Sequence, residues 1–135
     1  MKEELALERP LAQALRALFA RAIEIYMSGS HGARGCYLIG TAATEAVSDS
    51  KVRAVFAAGL HELDDLLETR LRAVRRRELS TEIDPAALAR VLCGVMNSLA
   101  LRARAGDSRA ILAATADAAV RLVTSGDDAT SAKVT

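Results

Sequence analysis

At 135 residues with a formal net charge of +1, the chain has the length of one domain. A domain of that size buries roughly two-thirds of the surface its unfolded form exposes, so no disulfide or metal staple is required. Charge is balanced along the chain as well as in total, which leaves no cationic surplus for phosphate contacts and counts against a nucleic-acid partner.

Hydrophobic residues make up 51% of the chain but aromatics only 3%, with 28 Ala and 18 Leu. That mixture favours helix by propensity and lets helix axes approach closely, so the class is all-α. No apolar run lies between Met1 and Glu8, so no signal peptide is expected, and no stretch approaches 18 uninterrupted apolar residues as a membrane span would. Cys36 and Cys93 are too far apart in sequence for a zinc or redox pair. A reduced, cytoplasmic protein without a cofactor is the expectation.

Five helices are predicted. The first runs from about Pro10 to Met27, with Pro10 at its opening and Leu11, Leu15, Leu18, Phe19, Ala22, Ile23 and Tyr26 in one stripe. Ser28, Gly29, Ser30, His31 and Gly32 then break it. The second spans about Gly35 to Val47, with Cys36, Ile39, Ala43 and Val47 on one side. Ser48, Asp49 and Ser50 offer caps for a third, which carries Val52, Phe56, Leu60, Leu63, Leu67, Leu71 and Val74 and continues to about Arg77. Its outer face reads acidic early (Glu62, Asp64, Asp65, Glu68) and basic late (Arg70, Arg72, Arg75, Arg76, Arg77), the order that complements a helix dipole. The arginine cluster is therefore a solvated helix end; it lacks the aromatic interleaving of a nucleic-acid site.

Asp84 and Pro85 open the fourth helix and Gly106 closes it, with Leu88, Val91, Leu92, Val95 and Leu99 as its stripe. Asp107 or Ser108 caps the fifth, in which Ile111, Leu112, Thr115, Ala118, Leu122 and Val123 share a face. So short a connection makes the last two helices antiparallel neighbours. From Thr124 onward the chain is small and polar, a tail expected to be disordered.

The succession of Arg34-Gly35-Cys36 entering a helix, Asp84-Pro85-Ala86-Ala87-Leu88-Ala89-Arg90, and Leu101 through Gly106 before Asp107-Ser108-Arg109 resembles the C-terminal half of tetracycline-repressor-type (TetR) transcriptional regulators. The resemblance covers about Pro10 to Val123 and rests on order and spacing, since each local signal occurs in many helical proteins. It implies a five-helix regulatory domain at 10–124, a lead-in at 1–9 and a tail at 125–135. It also implies a homodimer joined through the last two helices, and an internal cavity for a small, apolar or aromatic effector. Residues 1–10 cannot supply a helix-turn-helix, so operator binding is not expected of this chain by itself.

Two residue sets follow. Phe19, Ile23, Tyr26, Tyr37, Thr41, Phe56, Leu60, Met96 and Asn97 are the pocket candidates: the few polar or aromatic groups near the apolar stripes, with the large Ile23 and Leu60, where Gly40, Thr41, Ala42 and Ala43 are too small to fill the space opposite large neighbours. Val95, Leu99, Ala103, Ile111, Ala114, Thr115, Ala118 and Leu122 are the candidates for the dimer interface, because helices rich in Ala off their main stripe are apolar nearly all round. Catalysis and metal binding find no support. His31 and His61 are far apart, no Ser sits in a nucleophile elbow, and His61 with Glu62 and Asp65 lacks a further ligand. Gly29, Gly32, Gly35 and Gly40 lack the Lys-Ser/Thr of a phosphate loop. The alternative to a sensor is a helical interaction module with a filled core that pairs with intact family members.

Overall fold

The computed structural model describes residues 2–29, 36, 38–74, 78–80 and 82–124, with Leu38 as backbone only. Tyr37, the Arg34-Gly35 step, Arg75 to Arg77 and the expected tail lie outside the described residues.

α1 (Leu11–Met27) buries Leu11, Ala14, Leu15, Leu18, Phe19, Ala22, Ile23 and Tyr26, a single face at helical spacing. Its first turn is capped from a distance. Pro10 offers no side-chain acceptor, and the Leu11 N–H donates instead to Glu78 Oε2 at 3.0 Å. The lead-in also contributes to the core through Leu5.

The second predicted helix departs from expectation. The chain forms a π-helical turn over Leu38–Ala42 and only one α-turn, α2 (Ala43–Glu45), after it. Val47, placed on that helix's apolar side by the sequence pattern, lies beyond its end and is exposed. The room expected beside Gly40 is taken: a Cβ there would overlap the Arg104 guanidinium, whose Cζ would lie 2.7 Å away.

α3 (Ser50–Arg72) starts on Asp49, whose carboxylate accepts from the Lys51 and Val52 N–H groups at 2.8 and 3.2 Å. It is shorter than predicted, roughly 35 Å by the rise per residue. Only Leu67, Arg70 and Leu71 are fully buried in it; Val52, Phe56, Leu60 and Leu63 are half-covered. Arg70 was expected on the solvated end and is instead 4% exposed. Its Nη2 donates to the Arg9 carbonyl at 2.6 Å, which ties the lead-in to α3, while its Nε has no partner among the described residues.

α4 (Pro85–Ala105) has the caps its sequence calls for. Asp84 accepts from Ala86 and Ala87 N–H at 3.1 and 3.2 Å, Pro85 occupies the first turn, and Gly106 takes the left-handed conformation at φ 98° that ends the helix. By length and composition alone α4 could cross a membrane, although no unbroken apolar run of 18 residues lies in it. Here it is the central helix, packed against α1, α3, α5 and the π turn. Its buried face is Leu88, Ala89, Leu92, Cys93, Met96, Leu99, Ala100 and Ala103; Val91, assigned to that stripe from sequence, is 57% exposed.

α5 (Arg109–Val123) is capped by the Ser108 hydroxyl and buries Leu112, Ala116, Ala119, Val120 and Val123 against α1 and α4. The predicted stripe mixed two faces. Ile111, Ala118 and Leu122 point away from the core, Leu122 with 78% of its surface free. The 78–80 segment clasps the helix end: Ser80 N–H donates to the Val123 carbonyl at 3.0 Å and its hydroxyl to that of Leu122, beside a bridge from Leu79 to Thr124.

Leu99 has no accessible surface at the junction of these helices. Leu99→Ala should therefore cost about 2–5 kcal/mol of unfolding free energy in a urea titration, the range for deleting a buried leucine. A loss below about 0.5 kcal/mol would mean that Leu99 does not sit in a packed core.

Candidate functional site: an apolar cavity beside the central helix

A cavity of about 270 Å³ opens where α1, the π turn, α3 and α4 converge. α3 lines one side with Gly59, Leu60, Leu63 and Leu66, one face of the half-covered part of that helix. α4 contributes Met96 and Asn97, α1 the end of its stripe at Tyr26, and the segment before α2 gives Cys36 and Ile39. Lys2 and Glu62, both exposed, form a rim of opposite charges.

The polar groups inside are few. Tyr26 is only 7% exposed, and neither its hydroxyl nor the Asn97 carboxamide has a hydrogen-bond partner among the described residues. Burial pushes the Tyr26 phenol well above its usual value, helped by the neighbouring Cys36 and Cys93 thiols, so it stays a neutral donor. Cys93 lies one turn before Met96 and Asn97 on α4. Burial first, and then its hydrogen bond and proximity to the Asp64 carboxylate, pushes its thiol up to about 12.

The sequence candidates divide on inspection. Tyr26, Leu60, Met96 and Asn97 line the cavity. Phe19 and Ile23 instead line a smaller cleft of about 180 Å³ between α1 and α5, under the Arg16–Asp117 ion pair at 3.2 Å. Thr41 and Phe56 line neither, and Tyr37 lies outside the described residues. Cys36, Ile39, Leu63 and Leu66 also line the cavity and were not among the sequence candidates; Leu63 carried a detectable signal, since it shares the stripe of Leu60, whereas Leu66 stands off that stripe. His61 is exposed and does not line the cavity. Among the described residues no group of three or more His, Cys, Asp or Glu side chains could hold a metal ion.

The candidates for the subunit interface divide as well. Leu99 and Ala103 are wholly buried in the chain's own core and offer no free surface, while Val95 packs against that core and is half-covered. Ile111, Ala114, Ala118 and Leu122 are exposed along one face of α5, with half-covered Thr115 beside them. On α4 the free face is Val91, Gly94 and Leu101, with half-covered Ser98 between and Ala105 at its end. A Cβ at Gly94 would meet nothing within 4 Å.

Residues 10–119 match the family described as the tetracyclin repressor-like C-terminal domain. The chain belongs to that family, whose domains are regulatory. No curated protein and no solved structure matches the chain.

The two raised acids have a consequence at alkaline pH. Between about pH 9 and 12 the unfolded chain loses the Cys93 proton while the folded chain keeps it, so stability falls as pH rises through that window. Tyr26 acts in the same sense from about pH 10 upward. Melting temperatures between pH 8 and 11 should decline, and Cys93→Ala should decline less steeply. Parallel curves for the two proteins would show that Cys93 is not held protonated by the fold.

Proposed function

We propose that this chain is the effector-sensing and dimerisation domain of a TetR-like transcriptional regulator, spanning about residues 10–124. The observation that carries the sensing role is the cavity against α4: apolar walls, a few inward polar groups and a rim open to solvent, the make-up of a small-molecule site. The ligand is a small, predominantly apolar or aromatic compound. No cofactor, membrane or nucleic acid is proposed as a partner of this domain, and the cytoplasm is the compartment that suits its free thiols.

Pairing rests on the outer faces of α4 and α5. Val91, Gly94, Ser98, Leu101 and Ala105 recur at three and four residues, as do Ile111, Ala114, Ala118 and Leu122, and both rows are largely uncovered. Apolar rows of this kind on adjacent helices suit a four-helix bundle with a second copy, in which small residues let the helices approach. The interface is accordingly redrawn from Leu99 and Ala103 to Val91, Gly94 and Leu101. The rival reading, an interaction module that binds no ligand, predicts the same pairing and an inert cavity.

Both parts are open to test. Ala118→Asp should halve the mass seen by light scattering at micromolar concentration, because it places an unpaired carboxylate in the interface. Its exposure within one chain means the helices should still form by circular dichroism. A dimer that tolerates the charge would place the interface elsewhere. Naphthalene as a probe ligand should slow alkylation of Cys36 by N-ethylmaleimide and raise the melting temperature, by about 2.7 kcal/mol of stability at a hundredfold excess over its Kd. If naphthalene and its oxygenated analogues give neither protection nor a melting shift, the sensing role fails and the interaction module stands.

A further inference from the structure

The cavity carries more information than its apolarity, because its two inward polar groups lack partners. Tyr26 is more than nine-tenths buried, and its hydroxyl faces a space walled by Leu60, Leu63 and Met96 with no protein acceptor or donor to meet it. Asn97, one residue beyond Met96 on α4, faces the same space with its carboxamide equally free. Neither group is sealed from water: Asn97 is half-covered, and the Tyr26 hydroxyl is open to the cavity's solvent. A ligand that displaces this solvent must replace its hydrogen bonds, and sites built to hydrogen-bond a ligand reject analogues that leave their polar atoms unpaired.

Charge and size narrow the ligand further. Among the described residues the one cation lining the cavity is Lys2, which is exposed and offset by Glu62 on the same lining, so a carboxylate or phosphate seated inside would lack a buried counter-charge. The volume of about 270 Å³ exceeds the ~150 Å³ of a cavity that holds a benzene ring, so a substituted or fused ring system fits.

We propose that the ligand of this cavity is a neutral aromatic or alicyclic compound bearing one oxygen function, a hydroxyl or a carbonyl, which accepts from the Tyr26 hydroxyl and bonds the Asn97 carboxamide. The inference rests on the sensing role above and adds to it the chemistry that distinguishes one apolar compound from another. Tyr26 supplies a donor that stays protonated throughout the neutral range. Asn97 supplies both a donor and an acceptor, so either a hydroxyl or a carbonyl can be completed by the pair.

Three probes of one shape separate the possibilities: 2-naphthol, naphthalene and 2-naphthoate, each titrated by fluorescence into the full chain. The expected result is 2-naphthol binding about tenfold tighter than naphthalene, with 2-naphthoate weakest. Tyr26→Phe should erase most of that gap, by weakening 2-naphthol, tightening naphthalene or both, and Asn97→Leu should erase part of it. Melting curves without ligand establish that each variant is folded, and if Tyr26→Phe does not fold the Asn97→Leu comparison decides. Equal affinity for 2-naphthol and naphthalene, or a gap that survives in the folded variants, overturns this inference and leaves the sensing role standing. Tightest binding of 2-naphthoate overturns the assignment of a neutral ligand. If none of the three binds, the sensing role itself fails and this inference falls with it.

Discussion

Everything in this domain depends on α4 being apolar around most of its circumference. A helix of that kind cannot rest with one side in water, and α4 is covered on its inner side by α1, α3 and α5. Leu88, Leu92, Leu99 and Ala103 spend that side on the core, and Met96 and Asn97 continue it into the cavity wall. What remains is Val91, Gly94 and Leu101, which no element of the same chain reaches among the described residues. One helix thus supplies core, cavity wall and free surface. That contiguity is the physical reason a compound in the cavity and a partner on the outer face would act on the same rigid element.

The cavity exists because its neighbours are badly matched. The π turn at Leu38–Ala42 and the brief α2 cannot lie along α3 as a full helix would, so Leu60, Leu63 and Leu66 near the middle of α3 stay only half-covered. Arg104 reaches from the end of α4 to the backbone at Gly40 and takes the room beside it. The buried Arg70 guanidinium fixes the lead-in to α3 through the Arg9 carbonyl, on the side of the domain where α1 begins.

Features whose chemistry is local were legible in the sequence. Asp84 with Pro85, and Gly106 twenty-one residues on, announce the ends of α4 because caps are hydrogen bonds and backbone angles within a few residues. The stripe of α1 was legible for the same reason, with large side chains at unbroken three-and-four spacing. Alanine defeated the reading elsewhere. On α4 and α5 it stands on every face, so periodicity could not tell Ala103 and Ala116, which are buried, from Ala114 and Ala118, which are not. Long-range partners were equally invisible: Glu78 caps a helix that begins 67 residues earlier, and Arg70 is buried by a carbonyl 61 residues away. No side-chain pattern marks the change from α to π winding in the second helix. Of the cavity, Tyr26, Met96 and Asn97 were legible as the few aromatic or polar groups near the stripes and Leu60 as a large stripe residue facing small ones, whereas Cys36 and Ile39 depend on that unforeseen turn.

In the proposed dimer, the outer face of α4 and α5 is half of an interface between identical chains. Sedimentation equilibrium of the unaltered 14.3 kDa chain, across a micromolar concentration series, measures that claim directly. A single species of twice the chain mass is the result the free rows on α4 and α5 require, whereas a monomer that persists at the highest concentration would contradict it.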